Sequence, residues 1–160
     1  MPRIGKKRSD RRYRAPDGTE WASKFEWKVY STLRDAGHCV RPCDERDTIS
    51  YTEQKANARC LACGSVECVQ DRTYTPDLFF IPQGGTDGGG YYIEAKGYFR
   101  PEKRTLFRCM RKSRPDYDIR LVLQSNFRAT SKSRIVDYCK RYLKDTKYHV
   151  WDGDIPGDWK

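Results

Sequence analysis

Thr73-Tyr-Thr-Pro-Asp-Leu-Phe-Phe80 and Tyr91-Tyr-Ile-Glu-Ala-Lys96 decide how this chain is read. Each is an apolar, aromatic run of strand length, and between them lies Ile81-Pro-Gln-Gly-Gly-Thr-Asp-Gly-Gly-Gly90. That glycine-rich link is long for a hairpin, yet it lets two strands return antiparallel and bring Asp77 beside Glu94. Side chains two apart on a strand share a face, so Tyr92, Glu94 and Lys96 emerge together while Ile93 and Ala95 turn inward. Pro76 holds Thr75 extended and gives up a ladder hydrogen bond, which is tolerable at an edge or where a strand splays. Two carboxylates and a lysine are thereby expected at one point.

Oxygen ligands of this kind suit magnesium or manganese. Two such ions about 4 Å apart can hold the attacking and leaving oxygens of a phosphodiester displacement, with Lys96 stabilising the nucleophile or the transition-state charge. Glu-x-Lys alone is weak evidence, because a chain with 22 acids and 32 bases contains about four acid-x-base triplets by chance. A cross-strand ion pair on a solvated face explains the triplet; the neighbouring Pro-Asp strand is what favours a metal site.

The 160 residues suffice for one domain with a real core, and four Trp and eleven Tyr make it too aromatic for a disordered tail. No apolar stretch reaches membrane-spanning length and residues 1–8 lack a signal-peptide core, so a soluble, cytoplasmic protein without a membrane partner is expected. A net charge of +10 and pI near 9.3 point to a polyanion. The bases cluster twice. Arg3, Lys6, Lys7, Arg8, Arg11, Arg12 and Arg14 fill a basic flexible arm over 1–17, while Arg100, Lys103, Arg104, Arg108, Arg111, Lys112 and Arg114 follow the Glu94/Lys96 strand. The DNA contacts are assigned to Arg8, Arg11, Arg12, Arg14, Arg100, Lys103, Arg104 and Arg108.

A helix is predicted from about Thr19 or Ser23 to Asp35, with Phe25, Val29 and Leu33 as its apolar stripe and Gly37 as its cap. Ser23-Lys-Phe-Glu26 matches a capping box, which favours a structural role for Glu26. Strands are expected at Cys39 to Arg41, Thr48 to Thr52, Thr73 to Phe80 and Tyr91 to Ala95. Pro101 opens a helix with Leu106, Phe107 and Met110 inward; a strand at Asp118 to Gln124, a helix over Ser133 to Lys144 and a short strand at His149 to Asp152 complete an α/β layered domain over 18–152. Residues 153–160 read as a tail.

Seven cysteines in a chain without a secretory signal are expected to stay reduced. Cys60-Leu-Ala-Cys63-Gly has zinc-knuckle spacing; with Cys68, and Cys43 or less readily Cys39 as fourth ligand, it could staple the Cys-rich insertion 53–71 with structural zinc, the alternative being free thiols or redox chemistry. Cys109 and Cys139 fall on helix interiors as core residues.

Ser23-Lys-Phe-Glu-Trp-Lys-Val29, Tyr74-Thr-Pro-Asp-Leu-Phe-Phe80, Tyr92-Ile-Glu-Ala-Lys-Gly97 and Asp118-Ile-Arg-Leu-Val-Leu123 together resemble the phage endonuclease I family of Holliday-junction resolvases, over about residues 20–125. The resemblance implies a PD-(D/E)XK restriction-endonuclease-like core, a mixed central sheet flanked by helices. It also implies Glu26, Asp77 and Glu94 as metal-binding acids for Mg2+ or Mn2+, and Lys96 as catalytic lysine. It further implies an interwoven homodimer, with Glu26 from one subunit meeting the other three from its partner, acting on branched double-stranded DNA. The insertion 53–71 departs from the family pattern. Other readings of the residues are a noncatalytic zinc-stabilised nucleic-acid adaptor, or a sequence-specific restriction-type nuclease.

Overall fold

The computed structural model describes residues 12–54, 69–85 and 87–160. The described elements begin with a two-residue ladder between β1 (Tyr13–Arg14) and β2 (Glu20–Trp21), followed by helix α1 (Lys24–Asp35). Ser23 caps α1, its Oγ accepting from the Glu26 amide at 3.1 Å, and Gly37 ends the turn after the helix at φ +83. Phe25, Val29 and Leu33 form the buried stripe, as their spacing of four predicts.

Strands β3 (Cys39–Pro42), β4 (Ile49–Gln54), β5 (Val69–Tyr74), β6 (Leu78–Ile81) and β7 (Tyr91–Lys96) come next. Helix α2 (Pro101–Ser113), β8 (Ile119–Leu123), helix α3 (Ile135–Tyr142) and β9 (Tyr148–Val150) close the chain. A mixed five-stranded sheet runs β3-β6-β7-β8-β9, antiparallel at its first two pairings and parallel at its last two. The parallel pairings require crossovers, and α2 and α3 supply them.

Two apolar layers cover the sheet. Phe25, Val29 and Leu33 of α1 pack with Leu78, Phe80, Tyr91 and Ile93 on one side. On the other side, Phe107 and Met110 of α2 and Ile135 and Cys139 of α3 pack against Ile119, Leu121 and Leu123. All five residues of β8 are buried, as expected of a central strand covered on both faces.

Three boundaries differ from the sequence expectation. The run Thr73 to Phe80 is two strands, because Pro76 breaks the ladder: β5 pairs with β4 in a separate ribbon, while β6 joins the central sheet. The ribbon ladder reaches Gln54↔Val69, so both ends of the 53–71 insertion are strand. Tyr13 and Arg14, read as arm, are ladder residues.

Residues 153–160, read as a tail, place two side chains in the core. Ile155 and Trp159 are buried in the α1-side layer, and the Tyr91 hydroxyl donates to the Trp159 carbonyl at 2.9 Å. Trp159 also stands over the buried Arg120 guanidinium, which lies 3.5 Å from the Tyr91 ring centroid and 5.4 Å from that of Trp159. No described helix is long and apolar enough to cross a membrane.

Candidate active site

The antiparallel register pairs Leu78 with Ile93, so Asp77, one residue before β6, falls opposite Glu94. Asp77 Oδ2 accepts a hydrogen bond from the Ala95 amide at 2.8 Å, which ties the carboxylate to β7 although its own residue lies outside the ladder. Lys96 Nζ lies 3.4 Å from the same oxygen and also contacts Glu94 Oε1. The alternation of β7 is as expected: Ile93 and Ala95 face the α1-side core, and Glu94 and Lys96 project the other way.

Glu26 reaches the same place from the first turn of α1. Only half of the predicted capping box forms: Ser23 Oγ accepts from the Glu26 amide, while among the described residues no bond returns from the Glu26 carboxylate to Ser23. That carboxylate is buried and lies within the electrostatic reach of Asp77, Lys96 and Glu94 of its own chain. Lys96 joins Asp77 and Glu94 within one chain, while Glu26 borders the same cleft as Asp77 and makes no hydrogen bond or ion pair with the other three among the described residues.

The cluster holds more negative charge than one lysine neutralises. Burial, then repulsion from Asp77, drives the Glu26 carboxyl up to about 8. The same two causes raise Glu94. Burial opposes the charge of Lys96, but Glu94 and Asp77 outweigh it and hold the ammonium above its ordinary range. Glu94 Oε2 and the Tyr74 hydroxyl are both buried beside one another without a close hydrogen bond, and burial, then Glu94, raises the tyrosine. Among the described residues no three acidic, cysteine or histidine side chains are already drawn together as a ligand group; Lys96 stands between the carboxylates in the place of a cation. Carboxylate oxygens such as those of Glu26, Asp77 and Glu94 are the donor type that hard divalent ions take.

A cleft of about 330 Å³ opens beside the cluster, lined by Trp21, Glu26, Tyr30, Cys43, Pro76 and Asp77 among others. Cys43, proposed from sequence as a zinc ligand, faces this cleft, and its amide donates to the Asp77 carbonyl at 3.0 Å. Its thiol is raised by burial, then by Asp47. Cys60, Cys63 and Cys68 lie outside the described residues. Sequence reasoning missed Tyr74 and Gln124. Tyr74 stands inside the quoted Pro-Asp motif, where only its β-propensity was legible. The Gln124 backbone N–H donates to the Lys96 carbonyl at 3.0 Å, and a Cβ on Gly97 would come within 2.8 Å of the Gln124 side-chain oxygen.

Of the predicted DNA contacts, Arg100, Lys103 and Arg108 are exposed on α2. Arg104 is not: it is buried, its Nη2 donates to the Ala129 carbonyl at 2.9 Å, and its guanidinium lies over the Tyr138 ring. The helical period turns residue 104 inward, in line with Phe107, so Arg104 braces the loop before α3 instead of meeting a phosphate. Arg12 and Arg14 are exposed, Arg12 within 3.9 Å of Glu20; Arg8 and Arg11 lie outside the described residues.

The raised Glu26 carboxyl has a thermodynamic consequence for the metal-free protein. Between the ordinary glutamate range and about pH 8 the folded state holds a proton that the unfolded state has lost, so stability falls as pH rises through that window. Melting in chelator is expected to lose several degrees between pH 5 and 8, and Glu26→Gln to flatten the slope; an unchanged slope in the variant would assign it to other groups. No protein-family model and no curated protein matches the chain.

Proposed function

We propose that the chain is a divalent-metal-dependent endodeoxyribonuclease of the PD-(D/E)XK type that cuts four-way and other branched DNA junctions. The observation that carries this reading is Lys96 joining Asp77 and Glu94 at the paired β6 and β7 strands, with the buried Glu26 carboxylate beside Asp77 on the adjoining cleft. The motif requires its Pro-Asp and Glu-x-Lys pieces on neighbouring strands, and β6 and β7 are paired. Strong charge segregation supports the substrate class. Residues 100–147 contain fifteen Lys and Arg against five Asp and Glu, an excess equal to the net +10 of the whole chain.

Glu26, Asp77 and Glu94 would hold Mg2+ or Mn2+, which would supply charge for the phosphoryl oxygens and a hydroxide at neutral pH. The Ala95 amide fixes the Asp77 carboxylate, and the rigid sheet fixes Glu94. Lys96 keeps its proton, because its two carboxylate neighbours favour the ammonium, and presents that charge to the scissile phosphate. As a homodimer, the protein would carry a complete site on each subunit and could place two nicks symmetrically across a junction.

The test is cleavage of an immobile four-way junction against a linear duplex of the same sequence, with magnesium or with chelator. Magnesium-dependent paired nicks confined to the junction are expected. Binding without cutting would replace this reading by the noncatalytic zinc-stabilised adaptor, and equal cutting of the duplex by a nuclease without junction selectivity.

A further inference from the structure

Tyr98 is the most exposed of the described large hydrophobic side chains, 61% accessible, and it stands two residues beyond Lys96. Its ring meets Phe127 with centroids 5.2 Å apart and planes inclined at 56°. Phe127 begins a loop that internal bonds hold in one shape. Its carbonyl accepts from the Ile135 amide at 2.9 Å, and the Ala129 and Thr130 amides donate to the Ser133 carbonyl at 2.9 and 3.1 Å. Arg104 ties the Ala129 carbonyl back to α2, and Arg134 donates to the Asn126 carbonyl at 2.8 Å.

Directly after Phe127 the loop forms a notch of about 260 Å³, lined by Arg128, Ser131, Lys132, Ser133, Arg134 and Asp137. Arg128 and Lys132 make no ion pair among the described residues. Asp137 is engaged in accepting the Arg134 amide at 3.3 Å at the start of α3. A solvent-facing aromatic step thus lies in the chain between the Lys96 strand end and a cationic notch large enough for a phosphate with its flanking sugar.

We propose that Tyr98, backed by Phe127, stacks on a base whose stacking is interrupted at the branch point of a DNA junction while Arg128 and Lys132 hold the adjoining phosphate. Every base offers a π-face, so an exposed aromatic beside free cations takes an unstacked nucleotide without regard to sequence. A continuous duplex keeps every internal base stacked on both faces, which makes this step the element that distinguishes a branch from a linear helix. The inference rests on the nucleic-acid reading above, but it concerns binding and not the cut.

The experiment measures affinity for a four-way junction and for a linear duplex in chelator, where cleavage cannot occur, on full-length protein whose folding is checked by melting. Tyr98→Ala is expected to weaken junction binding about tenfold while changing duplex binding less than about twofold, and Tyr98→Trp to restore it. Arg128→Ala with Lys132→Ala is expected to weaken both and to lower the salt slope by about two. Unchanged junction affinity in Tyr98→Ala, or equal loss on both substrates, would overturn the stacking role. Absence of cleavage in magnesium would count against the nuclease and leave this measurement intact.

Discussion

Asp77→Ala and Lys96→Ala are each expected to lower junction cleavage by at least about 10³-fold while changing junction affinity by less than about threefold. Both side chains are largely buried and spend their contacts on one another, on Glu94 and on the Ala95 amide. They contribute little surface to a phosphate-binding face, whereas the clustered cations of α2 and the loop after β8 remain in both variants. Removing Asp77 also deprives the Ala95 amide of its acceptor, a cost of about 1 kcal/mol that could be mistaken for a catalytic effect. Asp77→Asn separates the two, since its amide oxygen can still accept that bond while the negative charge is gone. Cleavage rates and gel-shift affinities for the three variants are the measurement. Affinity falling in step with cleavage would assign these residues to binding instead of chemistry.

The second large effect concerns stability. Trp159→Ala is expected to destabilise the protein by about 3–5 kcal/mol and to lower its melting temperature by about 10 °C, because a buried aromatic is removed from the α1-side core. The loss also uncovers Arg120, whose guanidinium lies between the Tyr91 and Trp159 rings with one nitrogen already unpartnered. Truncation after Asp154 is expected to cost more, since it removes Ile155 and the carbonyl that receives the Tyr91 hydroxyl bond as well. Trp159→Phe keeps most of the apolar contact and is expected to lose less than about 2 kcal/mol. Thermal melting of these variants decides the matter. A truncated protein that melts with the full chain would make the last residues an appendage after all.

Much of the site was legible because its signals are local. The limits of α1 follow from Ser23 as cap and Gly37 past its end, and the shared face of Glu94 and Lys96 follows from strand periodicity. Pro76 announced a splay, though not that the strands on either side of it would enter different sheets, since a proline marks a break without naming the partners chosen afterwards. Glu26 was ambiguous for a comparable reason: a cap and a site carboxylate present the same residue at the same helix position, and only the packing of α1 on the sheet carries it to Asp77 and Glu94.

The sequence by itself determined the three helices, the position of most central-sheet strands and the pairing of an aspartate with a Glu-x-Lys strand, because propensity, capping and periodicity act over a few residues. Only the tertiary structure decided that the Glu26 carboxylate is buried on the cleft beside Asp77, that Arg104 is a buried brace among exposed cations, and that Ile155 and Trp159 close the core. Those outcomes depend on which surfaces meet across long chain separations, where burial and electrostatics are set by neighbours that no local pattern specifies.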